Sequence, residues 1–206
     1  MTIRLFFSPA SPFVRKVMVC AHERGLASEI EKLPSAAWPV KRDESIVRHN
    51  ASGKVPCALL EDDTPVFDSR VICAYVDSLA SKEGSLYPQD AHRFPVLTLE
   101  ALADSILDAA LLCRYETVLR PQQFFWDDWY RGQMEKIDSG LDALEGRWFS
   151  DISADFHAGA IAAACALGYL DFRFAEKDWR SARPQLAQWF SSISARPSMM
   201  ATLPHT

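Results

Sequence analysis

Ser11 sits in a stretch equipped to hold an anion. In Ser8-Pro9-Ala10-Ser11-Pro12-Phe13-Val14-Arg15-Lys16-Val17 a hydroxyl stands directly before a proline. Val14, Val17, Met18 and Ala21 follow at i, i+3, i+4, i+7, the spacing of one apolar helix face. Ser11 therefore falls at the N-cap and Pro12 at the first helical position, where a missing N–H costs nothing. Unpaired N–H groups and the positive end of the helix dipole gather at such a start, which favours a bound anion. A serine cap with no further role is the simpler reading of this segment alone. A second start of this kind lies at Asp68-Ser69, ahead of Ile72, Tyr75, Val76 and Leu79 at the same spacing. Either residue can cap it.

These starts need elements to position them. Ile3 to Phe7 is a short apolar run that reads as a strand feeding the first loop, and Gly25 can close the first helix. Glu29 to Leu33 reads as a second strand ending at Pro34, Ala36 to Pro39 as a loop, and Asp43 to His49 as a weak helix. Asn50-Ala51-Ser52-Gly53-Lys54-Val55-Pro56 is a turn into a strand, Cys57 to Leu60. A proline at a strand start removes one ladder donor, and Val55–Pro56 is a candidate cis bond. Glu61 to Thr64 is a polar hairpin connection to a returning strand, Pro65 to Phe67. The order β-α-β-(α)-β-β-α makes a compact α/β unit. Ser81 to Pro95 is rich in Ser, Gly, Pro and charge. The boundary is placed there, with one domain over 1–80, a linker over 81–93 and a second domain over 94–206.

The second domain reads as helical throughout. Leu99, Leu102, Ile106, Ala109, Ala110 and Cys113 share a face of a long helix that Pro121 breaks. Gln122 to Trp148 is expected as another, with Ile137, Leu141, Leu144 and Trp148 inward. Phe124, Phe125, Trp126, Trp129 and Tyr130 are expected to pack in its core. Asp155 to Phe172 is nearly apolar and rich in small residues, as suits a central helix packed on all sides. Ala182 to Ala195 is a final helix, ended by Pro197.

Composition narrows the function. The 206 residues are 49% hydrophobic and 24% charged, ordinary for a globular protein, and the net charge of −5 argues against general nucleic-acid binding. No apolar run reaches the length of a membrane span. Five cysteines, an odd number with no C-x-x-C pair, read as reduced core residues of a cytoplasmic protein. Five histidines without H-x-x-x-H spacing give no metal site.

Three motifs now agree. Ser-Pro-Phe-Val at 11–14, Asn-x-x-Gly-Lys-Val-Pro at 50–56 and Phe67-Asp68-Ser69-Arg70 occur in the order and spacing of glutathione transferases. The first resembles the slot where glutaredoxins carry Cys-Pro-Tyr-Cys. The second resembles the family's loop into a cis-proline, and the third its acidic-Ser pair before the third helix. Gly168-Tyr169-Leu170-Asp171-Phe172-Arg173 extends the resemblance into the second domain. The wording is similar to that of small bacterial transferases with serine at the active position. The resemblance implies an α/β thioredoxin-like N-terminal domain followed by an all-α helical-bundle C-terminal domain, and a homodimer. One departure is the central helix, where the family places Ser/Thr-x-x-Asp and this chain has His157 and Ala160. Ser153 or Asp155 can cap an earlier start, or His157 can cap weakly.

The resemblance also implies roles. Ser11 would be catalytic, donating to the glutathione sulfur. Phe13, Lys54, Val55, Pro56, Asp68 and Ser69 would bind glutathione, with Val55 pairing the cysteinyl backbone. Asp68 would take the γ-glutamyl amine, Ser69 the γ-glutamyl carboxylate, and Lys54 or Trp38 the glycyl carboxylate. Ala10, Asp108, Leu112 and Tyr115 would line the pocket of a small hydrophobic electrophile. The expected activity is conjugation of the thiolate to that electrophile. A glutathione-binding or protein-interaction module with little catalysis, or a glutathione-dependent peroxidase or isomerase, are the alternatives. No protein thiol stands at position 11, so a mixed disulfide on the protein is not expected there.

Overall fold

The computed structural model describes residues 2–81 and 84–206. It divides into two compact units, residues 1–88 together with 196–206, and residues 89–195. Of the expected linker, Lys82 and Glu83 lie outside the described residues.

The first unit is built on a four-stranded sheet in the order β2-β1-β3-β4. Its strands are β1 (Ile3–Phe7), β2 (Ile30–Pro34), β3 (Cys57–Leu59) and β4 (Pro65–Val66). β1 runs parallel to β2 and antiparallel to β3, and β3 is antiparallel to β4. Helix α1 (Pro12–Glu23) makes the β1–β2 crossover. It stops at Gly25, whose φ of +74° an L side chain rarely adopts. The N–H of Gly25 bonds the carbonyl of His22 and that of Leu26 the carbonyl of Ala21, closing the paired C-terminal motif glycine permits. Helix α2 (Glu44–Val47) is a single turn capped by Asp43. Helix α3 (Ser69–Leu79) follows β4 and is capped by the side chain of Asp68.

Residues 196–206 return to this unit. Helix α9 (Pro197–Met200) packs on α1. Arg196 grips the Glu23 carboxylate with Nη2 at 2.7 Å and Nε at 3.2 Å, and Arg15, 7% exposed, donates to the carbonyl of Met199 at 3.2 Å. One residue on from Glu23, the buried Arg24 pairs with Asp77 at 2.9 Å, and Asp77 accepts the N–H of Leu86 at 3.0 Å. That bond explains why Leu86 and Tyr87, inside the expected linker, are buried.

The second unit is helical. Helix α4 (Arg93–Val118) packs along α7 (Ala158–Arg173) and α5 (Asp127–Glu145), with α6 (Phe149–Ala154) and α8 (Pro184–Ser194) against them. α7 is buried from Ala158 to Leu170, as its small apolar residues predict. Close approach explains its glycine: a Cβ at Gly159 would stand 2.8 Å from the carbonyl oxygen of Val96. The five cysteines are free and buried.

Several expectations are corrected. The helix expected over 122–148 is only Asp127–Glu145. It starts after a short turn at Gln122–Phe124, with Asp127 and Asp128 favouring the positive helix end, and stops at Gly146, so Trp148 lies outside it. The aromatic stretch is not core. Phe124 and Trp126 are more than 60% exposed and Trp129 is 39% exposed, because most of the stretch precedes the helix whose spacing was used to bury it. The central helix begins at Ala158 with His157 as its cap, three residues later than expected, and the last long helix begins at Pro184 rather than Ala182. Pro197 does not end a helix; it is the first residue of α9. Proline suits that position for the reason it suits Pro12.

Candidate active site

The sheet registers bring the first unit's three motifs to one end. Phe6 pairs with Cys57, so Val55 and Pro56 continue beside the segment leaving β1 towards Ser11. Ala58 pairs with Val66, so Phe67 and Asp68 leave β4 towards the same end. The loop before α1, the turn before β3 and the start of α3 therefore converge.

Ser11 is half-buried and caps α1, its Oγ accepting the N–H of Val14 at 3.3 Å. Its carbonyl accepts from Arg15 at 3.0 Å and its own N–H bonds the Ser8 carbonyl at 3.1 Å. The cap uses a lone pair of the hydroxyl, so the hydroxyl proton is left to donate. Phe13 is half-buried two residues on, with the Lys16 ammonium 6.0 Å from its ring centre. Ala10 is half-buried in the turn before Ser11.

The bonds Val55–Pro56 and Phe67–Asp68 are both cis. Pro56 is buried, and Val55 lies two residues ahead of β3, outside its ladder. Asn50, 2% exposed, shapes this turn by donating from Nδ2 to the carbonyl of Lys54 at 2.9 Å. The Lys54 side chain reaches solvent. Asp68 is exposed and accepts the N–H of Arg70 at 2.9 Å, while Ser69 is 2% exposed at the first position of α3. The first N–H groups of a helix have no partner within it. The site thus offers a hydroxyl donor, two helix starts, a strand-like edge and one exposed carboxylate.

Asp108, Leu112 and Tyr115 stand at i, i+4, i+7 on α4 of the second unit. Asp108 and Leu112 are exposed, and Tyr115 is half-buried with its phenol pushed up by burial. Their neighbours were not among the expected site residues. Tyr169 on α7 is 3% exposed, and burial pushes its phenol up to about 12. Arg173, one turn on, lies with its guanidinium carbon 3.8 Å from the Phe172 ring centre, and its Nε is buried without a hydrogen-bond partner. Arg114 on α4 is close enough that its charge bears on Tyr115, Tyr169 and Arg173. No local sequence signal joins Arg114 to Arg173; the packing of α4 on α7 does.

Buried thiols complete the chemical inventory. Burial pushes Cys57 and Cys113 up to about 11, which makes them poor nucleophiles. Among the described residues, no group of three or more His, Cys, Asp or Glu is placed to hold a metal ion, and no helix is long and apolar enough to cross a membrane.

A mixed sheet of this order, with a serine capping the first helix and a helical second unit, is the architecture the sequence led us to expect. Residues 10–79 match the family description "Glutathione S-transferase, N-terminal domain", and residues 127–192 match "Glutathione S-transferase, C-terminal domain". The chain belongs to the glutathione S-transferase family. It is 35% identical over 206 residues to the uncharacterized GST-like protein YibF of Escherichia coli K12, covering 98% of each chain. It is 43% identical to a glutathione transferase family member from Pseudomonas fluorescens Pf-5 solved with bound glutathione, over 100% of both chains, with a TM-score of 0.97. A second structure of that protein holds S-(propanoic acid)-glutathione, with a TM-score of 0.93 and the same identity and coverage.

Proposed function

We propose that this protein is a glutathione transferase that joins the glutathione thiolate to hydrophobic electrophiles. Ser11 is the observation that carries this reading: a cap whose hydroxyl proton is unspent, at a helix start. A free thiol with a pKa of about 8.5 is only about 3% thiolate at pH 7. Lowering that pKa by two units, about 2.7 kcal/mol, makes the thiolate the major form. One hydrogen bond to a charged sulfur contributes about 1.5–3 kcal/mol, and the helix end adds up to about 1 more. Ser11 is thus sufficient in magnitude, as a donor rather than a nucleophile. The thiolate then forms the new C–S bond while the electrophile loses a leaving group, or opens a double bond and takes a proton from water.

Glutathione would lie along the convergent end of the sheet. Val55 would pair with its cysteinyl backbone as an added strand does. Asp68 would accept the γ-glutamyl amine, and Ser69 would hold the γ-glutamyl carboxylate at the start of α3. Phe13, Pro56 and Lys54 would complete that contact surface. Ala10, Asp108, Leu112 and Tyr115 would face the electrophile. The glutathione bound in the Pseudomonas relative supports glutathione as the ligand. We expect a homodimer, which light scattering would read directly, and a reducing cytoplasm suits the five buried thiols.

The test is an ultraviolet titration of bound glutathione with the wild type and Ser11→Ala. A thiol that titrates well below its free value, and returns towards it in Ser11→Ala, supports the transferase. Bound glutathione with an unshifted thiol overturns it in favour of a binding module. No binding at all overturns the glutathione site itself.

A further inference from the structure

A cavity of about 70 Å³ lies within the first unit, walled by the end of β1, by α1, by β2 and by the returning residues 201–205. That is several times the roughly 10–15 Å³ one water needs, and well below the roughly 300 Å³ at which pockets for larger ligands begin. Its polar lining is Ser8, Arg15, Lys32, Thr202 and His205. The other walls are apolar, and no carboxylate is among them. We propose that this cavity binds a phosphate group through Arg15, Lys32 and His205, at a site separate from the glutathione residues. The proposal goes beyond the transferase reading and does not depend on it.

Arg15 carries the argument. It is 7% exposed, and among the described residues no carboxylate pairs with it. Arg24, as deeply buried in the same unit, keeps Asp77 at 2.9 Å. A buried cation without an anion is costly. Arg15 gives Nη2 to the carbonyl of Met199 at 3.2 Å, and its Nε lies 3.5 Å from the Thr202 hydroxyl. Both acceptors are neutral. They orient the planar guanidinium and leave Nη1 for a ligand. Lys32 brings a second cation, its ammonium 4.5 Å from the ring centre of Phe7 at the same pocket. A lysine on an edge strand ordinarily guards against pairing with another chain, but that role does not require it to share a cavity with a buried arginine. Among the described residues the Ser8 hydroxyl has no hydrogen-bond partner and is free to donate. His205 adds a ring N–H. A phosphate group, with more charge and more acceptor oxygens than a carboxylate, suits donors that arrive from several segments. Sheet order keeps the site apart from the glutathione residues. β2, with Lys32, flanks β1 on one side, and β3, with Val55 and Pro56 leading into it, flanks the other. A bound phosphate would thus tie the returning residues to α1 and β2.

Calorimetric titration of the full chain with inorganic phosphate tests this, at an ionic strength held constant with sodium chloride and with or without saturating glutathione. One saturable site per chain is expected, unchanged by glutathione. Phosphate at ten times its Kd should raise the thermal unfolding midpoint by about 3–5 °C. Lys32→Gln should weaken phosphate binding about tenfold, the worth of one charge-assisted hydrogen bond. Arg15→Gln should abolish it, but Arg15 also braces residues 199–202, so the exposed Lys32 is the deciding position. Glycerol phosphate separates the two sources of the group: binding tighter than that of inorganic phosphate assigns the site to phosphomonoesters, and weaker binding assigns it to the free ion. Both results support the site. Absence of saturable binding overturns the proposal, as does phosphate affinity that survives in Lys32→Gln. Displacement of phosphate by glutathione also overturns it, by moving the anion to the glutathione residues. If phosphate binds and glutathione does not, the transferase reading falls and this site stands.

Discussion

Ser11 and His157 are both helix caps, and each has a chemical consequence beyond capping. Ser11→Ala removes the cap on α1, which costs about 0.5–2 kcal/mol of stability. It should also raise the pKa of bound glutathione by about 1–2 units, the worth of one hydrogen bond to a charged group. Ultraviolet thiolate absorbance separates that effect from the first. Ser11→Cys should gain thiol-transferase activity towards small mixed disulfides, and its absence in a folded variant that binds glutathione would mean position 11 does not face the sulfur. His157 caps α7 with Nδ1, accepting the N–H of Ala160 at 3.2 Å, while Nε2 lies 3.1 Å from the Asp151 carbonyl. That arrangement needs a neutral ring protonated on Nε2. Burial depresses its pKa, opposed by the nearby Asp155 and Asp151 charges. A depressed imidazole pKa contributes stability that is complete above about 6.5, the unfolded value, and is lost as pH falls through the folded one. Urea unfolding should therefore show stability declining below about pH 6.5, and His157→Ser should flatten that decline, since a hydroxyl caps at any pH. Ser11 was legible because its cap, proline and apolar spacing are adjacent in sequence. His157 was only one of three candidate caps, because imidazole is not a usual cap residue and its fitness depends on Asp151 across a turn.

At the scale of elements, two glycines set how closely the helices of the second unit approach. A Cβ at Gly159 would meet the Val96 carbonyl oxygen at 2.8 Å and Leu99 Cβ at 2.7 Å, which are backbone or rigidly attached to it. At Gly140 it would meet Ile106 Cγ1 at 2.6 Å and Cδ1 at 2.9 Å, part of a side chain that can rotate. Alanine gains about 1 kcal/mol of helix propensity over glycine at either site, against about 1–3 kcal/mol for overpacking. Gly159→Ala should be clearly destabilising and Gly140→Ala close to neutral, as denaturant midpoints will show. The limits of sequence reading fall at this scale too. β1, α1 and α3 were read closely because a short apolar run, caps and helical spacing coincide within a few residues. The span of α5 was overrun because helical spacing of apolar residues continues through Gly146 to Trp148 although the helix does not. The same spacing assigned Trp126 and Trp129 to the core. Aromatic residues satisfy a periodicity whether the face they form is inward or outward, and only packing decides.

For the whole molecule, the least legible feature was the return of residues 196–206 to the first unit. It depends on contacts across most of the chain: Arg196 with Glu23, and Arg15 with Met199. Nothing near Arg196 signals them. Arg114 was missed for the same reason, and Arg173 was noted only within a family-like segment, with nothing near it in sequence to join it to α4. Arg196→Ala removes two charge-assisted bonds to Glu23. With the guanidinium 39% exposed, solvent screening holds the expected loss to about 1–2 kcal/mol. Hydrogen exchange should speed up along α1 and leave α5 and α7 unchanged. Equal acceleration in both units would show that they unfold as one.

That return also bears on how the protein is made. Ser11 opens the same helix that carries Arg15 and Glu23, and the partners of Arg15 and Glu23 leave the ribosome only after the entire second unit has been synthesised. Domains generally fold in the order they emerge, but here the earliest can be finished only by late residues. A polypeptide released after residue 195 would carry every motif that resembles a glutathione site, on a first helix lacking the contacts that brace it. Chains shortened before residue 196 would thus present a first helix without the contacts of Arg196 and Met199.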